Sequence, residues 1–140
     1  MPVRFLDTNV LLRYLTRDDD RKAAAAFSLL RRIERGEERV VTTQAVIFET
    51  VFTLQRFYKV PREHIRALVL PIVTLRGVQI ADKSLYEGAF DLYVANRISL
   101  PDAWNAVFMA AHNLMEIYTW DTDFDAIAGI TRIEPREERR

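Results

Sequence analysis

Four acidic side chains stand in contexts that could support metal chemistry: Asp7, Glu49, Asp102 and Asp121. Asp7 directly follows the apolar segment Val3–Leu6, and it equally suits the cap of a following helix, as do Thr8 and Asn9. Glu49 lies in the apolar stretch Ala45–Phe52. A carboxylate there occupies a narrow solvent stripe, pairs with Arg56 two turns on, or is desolvated at a cost. With Ala45, Phe52 and Thr53 on its face, a desolvated Glu49 is a serious alternative. Asp102 sits in Ser99-x-x-Asp102, where it completes a capping box. Asp121 belongs to Thr119-Trp120-Asp121-Thr122-Asp123-Phe124, a sequence equally suited to a turn, and Asp123 and Asp125 share that reading.

Taken singly, each acid has a structural explanation. Gathered in one place, carboxylates repel one another unless protons or a cation neutralise them. The chain has no Cys and only two His, His64 and His112, so thiolate and His-rich sites are excluded. Hard oxygen ligands then point to Mg²⁺ or Mn²⁺. Such ions activate water and stabilise charge on a transferring phosphoryl group, so the chemistry suggested is phosphodiester hydrolysis.

The elements that must position these acids alternate between strand and helix. Val3–Leu6 reads as a buried strand. Val10–Leu15 has helical spacing and is interrupted at Arg17–Asp20. Lys22–Arg35 forms a long helix with Phe27, Leu30 and Ile33 on one face, ended by Gly36. Val40–Thr43 is a second strand and Gln44–Tyr58 a second long helix. A helical stretch begins at Arg62, and Pro71 is expected to kink or divide it. Val78–Ile80 is a third strand; Ser84-x-x-Glu87 is expected to cap a helix running to about Asn96. Ser99-x-x-Asp102, with Pro101 in the first turn, opens another helix. Glu116–Thr119 and Ile130–Ile133 complete the strands, and residues 134–140 form a charged tail. This order predicts an α/β fold with a short, mostly parallel sheet of four to five strands. Sites in such folds gather beyond the carboxyl ends of the strands, where Asp7 and Asp121 fall.

Composition bounds the rest. A chain of 140 residues that is 49% hydrophobic supports one ordinary domain with a buried core and excludes intrinsic disorder. No apolar run reaches the length of a membrane span and the N-terminus lacks a signal-peptide pattern, so a cytoplasmic location is expected. Twenty basic residues balance twenty acidic ones, so no global basic face announces a nucleic-acid ligand. Charge is locally concentrated, however: Arg56, Lys59, Arg62 and Arg66 face only Glu63 in this stretch, and the first three are candidates for phosphate contact. A solvated helix face explains the same residues. Trp104 and Phe108 suit core or interface better than base stacking.

With these residues in view, the chain resembles the PIN-domain nucleases, and within them the VapC-like toxins of toxin–antitoxin pairs. Phe5-Leu6-Asp7-Thr8-Asn9, Glu49 in its apolar helix, Pro101-Asp102-Ala103 and Tyr118–Phe124 carry the resemblance, which spans Val3 to Ile133. It implies a three-layer α/β/α fold over residues 1–133, usually a homodimer, and metal-dependent ribonuclease activity silenced by a cognate antitoxin. By position, it implies Asp7, Glu49, Asp102 and Asp121 as metal-binding acids, with Asp123 replacing or assisting Asp121. Thr8 and Thr119 become hydroxyls that orient carboxylates or the attacking water. Asn105, one turn after Asp102, departs from the commoner aliphatic residue and either faces the site or serves packing.

Other classes fit less well. A phospho-receiver domain needs adjacent acids after the first strand, whereas Asp7 is followed by Thr8 and Asn9. A catalytically silent PIN-like binding module and a metal-dependent phosphatase remain alternatives. All four acidic positions being filled favours catalysis over the silent module.

Overall fold

The computed structural model describes residues 2–138, so Arg139 and Arg140 of the expected tail lie outside the described residues. The chain divides into two compact units, Met1–Tyr86 and Glu87–Arg140.

In the first unit the order is β1 (Arg4–Phe5), α1 (Thr8–Thr16), α2 (Asp20–Glu34), β2 (Val40–Val41), α3 (Gln44–Arg56), α4 (Arg62–Val73) and β3 (Val78–Gln79). The three strands pair in the order β1-β2-β3, all parallel, with Phe5 opposite Val41 and Val41 opposite Gln79. Parallel neighbours require crossovers, and the helices supply them. Leu6, just past β1, is 2% exposed, but Val3 and Phe5 are 44% and 55% exposed. The expectation of a buried first strand is therefore corrected: β1 is an edge of its ladder, and only Leu6 enters the core.

α1 ends at Arg17, which turns into the left-handed region, and Asp19 caps α2 by accepting the Lys22 N–H at 3.0 Å. Gly36, at φ 79°, closes α2 as expected, with the Glu37 N–H returning to the Arg32 carbonyl at 2.8 Å. The buried face of α2 is Ala26, Leu30 and Ile33. Phe27 is instead exposed on the flank, its ring stacked against Tyr14 with centroids 6.3 Å apart, because it lies beside rather than on the i, i+4, i+7 stripe. α3 stops a little before the expected Tyr58, since Lys59 takes a left-handed conformation. Pro71 does not divide α4. It lies in the last turn, where its missing N–H forfeits one hydrogen bond and its carbonyl accepts from the Thr74 hydroxyl.

The expected capping box at Ser84 is also corrected. Ser84 sits inside a 3-10 turn, Lys83–Leu85, that leads into α5 (Tyr86–Ala95). The Lys83 ammonium anchors this turn on the Leu75 and Val78 carbonyls, a tertiary tie that overrides the local capping pattern. Partial burial also holds its pKa below the ordinary lysine value.

The second unit continues with α6 (Leu100–Ala111), β4 (Glu116–Tyr118), a 3-10 turn over Thr122–Ala126, and β5 (Thr131–Ile133). β4 and β5 run parallel, with Ile117 opposite Arg132. Phe90, Tyr93, Leu100, Ala103 and Trp104 are buried, whereas Phe108 is partly exposed and packs on His112. All strand pairings in both units are parallel, as the alternating pattern predicts.

A tight approach in the first unit provides a stability test. A Cβ at Gly77 would lie 2.7 Å from Ile33 Cγ2 and 3.0 Å from the Glu38 carbonyl oxygen, and Ile33 is almost fully buried. Gly77→Ala is expected to destabilise the chain by about 1–3 kcal/mol through overpacking. Urea unfolding monitored by circular dichroism measures it; an unchanged midpoint would show that the β3 approach has room to relax.

Candidate metal centre

In the second unit, Asp102, Asp121 and Asp123 each offer a carboxylate oxygen, and the three oxygens lie within 4.8 Å of one another. Local hydrogen bonds hold this arrangement. Ser99 caps α6 by accepting the Asp102 N–H at 3.2 Å, which fixes Asp102 in the first helical turn. After β4, Thr119 Oγ1 accepts the Asp121 N–H at 3.0 Å, and Asp121 Oδ1 accepts the Asp123 N–H at 2.9 Å. The turn chemistry expected of Asp121 is thus real, yet a carboxylate has more acceptor capacity than one such bond uses. Thr119, meanwhile, positions the backbone of an acid directly.

Electrostatics mark the cluster as strained without a counter-charge. Partial burial pushes the Asp102 carboxyl above the ordinary carboxylate value; a hydrogen bond to Ser99 works in the opposite sense, and the charges of Asp121 and Asp123 raise it further. The donor set, three carboxylates and no sulfur or imidazole, fits a hard divalent ion such as Mg²⁺ or Mn²⁺. Asp125 plays a different part. It pairs with Arg132 at 3.0 Å, and Arg132 also holds Glu134 at 2.6 Å, so the first tail residue is tied to β5.

In the first unit, Asp7 occupies the N-cap position of α1, but its side chain makes no capping hydrogen bond. The reading of Asp7 as an ordinary cap therefore loses its main support. Thr8 is buried, and its hydroxyl donates to Glu49 Oε2 at 3.1 Å, joining the start of α1 to α3. Thr42, also buried, donates to the Leu6 carbonyl at 2.9 Å and fixes the backbone immediately before Asp7. No sequence pattern singled out Thr42; its only signal was a hydroxyl at the end of a β-branched strand. Of the readings of Glu49, the structure selects the solvent stripe. This residue is exposed, as are Ala45 and Phe52 on its face, because α3 buries the opposite set, Val46, Ile47, Thr50, Val51 and Leu54. Glu49 is held by a hydroxyl, not stranded in an apolar core.

The other candidates are placed as follows. Asn105 is exposed on α6, one turn beyond Asp102. Arg56 is exposed at the last residue of α3, Lys59 is exposed in its left-handed bend, and Arg62 is half-buried at the first residue of α4. The structure thus brings Asp102, Asp121, Asp123 and Thr119 together in one unit, and Thr8 and Glu49 together in the other, with Asp7 adjacent in sequence to Thr8. No helix among the described residues is long and apolar enough to cross a membrane.

The raised Asp102 pKa has a signed consequence. The folded chain holds this proton more tightly than the unfolded chain, so ionising Asp102 costs stability. That cost appears as pH rises from about 3.9, the unfolded value, through the raised folded value. In chelator, Asp102→Asn is therefore expected to raise the melting temperature at neutral pH, with the gain vanishing in strong acid. Saturating Mg²⁺ should shift the wild type upward by more than the variant. Melts across pH that show Asp102→Asn destabilising throughout would contradict this electrostatic account.

Comparison with known proteins identifies the family. The PIN domain profile matches residues 4–130. The VapC ribonuclease of Aquifex aeolicus (strain VF5) is 24% identical over 136 residues, covering 97% of this chain and 99% of that protein.

Proposed function

Since the chain belongs to the PIN domain family, we propose that it is a metal-dependent endoribonuclease and the toxin of a toxin–antitoxin pair. The observation that carries this reading is the cluster of Asp102, Asp121 and Asp123, three carboxylates with one of them resisting ionisation. Similarity to a protein named VapC ribonuclease supports RNA as the substrate. The nuclease domain is residues 1–133, with 134–140 as an appended tail. The partners proposed are RNA, a cognate antitoxin and a second copy of the chain, in the cytoplasm.

Asp102, Asp121 and Asp123 would hold the ion, Mg²⁺ or Mn²⁺; the family resemblance proposes Asp7 and Glu49 as further metal-binding acids. When bound, such an ion polarises a scissile phosphate and makes water more acidic. The protein groups supply order. Thr119 holds the turn that presents Asp121 and Asp123, and Thr8 holds one oxygen of Glu49, leaving its other oxygen available as an acceptor. No side chain acts as nucleophile. Water adds to phosphorus as the bond to the 3′ oxygen breaks; that oxygen takes a proton, leaving a 3′-hydroxyl and a 5′-phosphate. Arg56, Lys59 and Arg62 are the proposed phosphate contacts.

Labelled structured RNAs incubated with Mg²⁺, Mn²⁺ or chelator test this directly. Cleavage is expected with either metal, and none in chelator. Asp7→Asn, Asp102→Asn and Asp121→Asn should each abolish it while leaving the circular dichroism spectrum unchanged. Thr119→Val, which removes a supporting hydrogen bond, should cost about 10–100-fold. If the wild type binds RNA without cutting it under any of these conditions, the silent binding module replaces this reading; release of phosphate from monoesters alone would make it a phosphatase.

A further inference from the structure

α1 and α2 form a helical hairpin, joined by Arg17–Asp19, and between them lies an open groove of about 480 Å³. Its rim carries Arg13 from α1 and Lys22 and Arg32 from α2; its floor includes the apolar Val10, Ala26 and Leu29. No acid lines it among the described residues. The spacing explains the convergence. Lys22, Ala26, Leu29 and Arg32 recur on one face of α2, and Asn9 and Arg13, four residues apart, share a face of α1. One of the three cations is already engaged, since Arg32 pairs with Glu38 at 3.2 Å. Arg13 and Lys22, neither in an ion pair of its own among the described residues, give the groove a positive rim, with Arg13 also near the Tyr58 hydroxyl that donates to Asp18.

Position adds a second argument. Asn9, which lines the groove, is the residue after Thr8, whose hydroxyl holds Glu49. A strand threaded past the start of α1 therefore meets this groove next. Its volume lies within the ~300–1,000 Å³ typical of small-molecule sites, and its apolar floor with a cationic rim matches a nucleotide's two faces.

We propose that this groove binds one nucleotide of the RNA strand outside the scissile bond, with its base on the apolar floor and flanking phosphates on Arg13 and Lys22. The proposal rests on the ribonuclease reading for its substrate class. The floor is aliphatic and Asn9 is the one amide lining the groove among the described residues, so the site selects a base mainly by size and apolar contact.

The test is fluorescence anisotropy of a short unstructured labelled oligoribonucleotide on the full chain in chelator, over a salt series. Each phosphate neutralised contributes about 0.7 to the slope for a single strand, so Arg13→Glu with Lys22→Glu should lower it by about 1.4. Arg21→Glu with Arg76→Glu changes net charge equally at positions that do not line the groove, and should leave most of the slope in place. Ala25→Trp, on an exposed lining position, fills the groove without altering charge; it should weaken binding about tenfold with the slope unchanged. Equal slopes for the two double variants, or full affinity in Ala25→Trp, would overturn the proposal, as would a loss confined to an acidic peptide probe. Parallel assays in Mg²⁺ separate the two claims. Cleavage with a groove-independent slope overturns the groove alone; a groove-dependent slope without cleavage overturns the nuclease alone. A chain that neither binds nor cuts overturns both.

Discussion

Three carboxylates held within 4.8 Å of one another repel, and the second unit is built so that this repulsion persists. Ser99 accepts the Asp102 N–H, which fixes the backbone that carries this carboxylate in the first turn of α6. Asp121 and Asp123 share one bonded turn after β4, in which Thr119 accepts the Asp121 N–H and Asp121 Oδ1 accepts the Asp123 N–H. The unit thus maintains an arrangement that is unfavourable when fully ionised; partial burial first, and then the charges of Asp121 and Asp123, raise the Asp102 pKa. A divalent cation would relieve the repulsion.

The first unit treats its acids differently. Asp7 is presented by the chain where β1 gives way to α1, with the preceding carbonyl pinned by Thr42. Glu49 is presented on an exposed helix face and steadied by a buried hydroxyl. Neither needs a costly apolar environment to be held in place. Both units therefore orient carboxylates through hydroxyl hydrogen bonds of Thr or Ser, a device that fixes direction without supplying a competing charge.

Much of this was legible in the sequence wherever local chemistry decides structure. Gly36 ends α2, Ser99 and Pro101 open α6, and the strand–helix alternation gives the parallel pairings. Asp102, Asp121 and Asp123 were recognisable by type and by position near a strand end or helix start, although their mutual approach depends on tertiary structure. Misreadings arose where tertiary structure overrules a local signal. The capping pattern at Ser84 yields to the Lys83 anchor, and Pro71 is harmless because it falls in a last turn. Glu49 stays open between a solvent stripe and a desolvated acid because Ala45 and Phe52, both exposed, resemble a buried face; apolar composition does not say which side of a helix meets water. The α1–α2 groove was invisible because its cations come from two helices, Arg13 on α1 standing nine residues before Lys22 and nineteen before Arg32 on α2.

The central claim is that Asp102, Asp121 and Asp123 form a divalent-cation site. Its most direct measurement is titration of the full chain with Mn²⁺, followed by electron paramagnetic resonance of the free ion and by calorimetry in two buffers. The account predicts saturable binding in the wild type, with some proton release near the raised Asp102 pKa, and binding sharply weakened in Asp102→Asn and in Asp121→Asn with Asp123→Asn. Mn²⁺ bound equally well by those variants would contradict it.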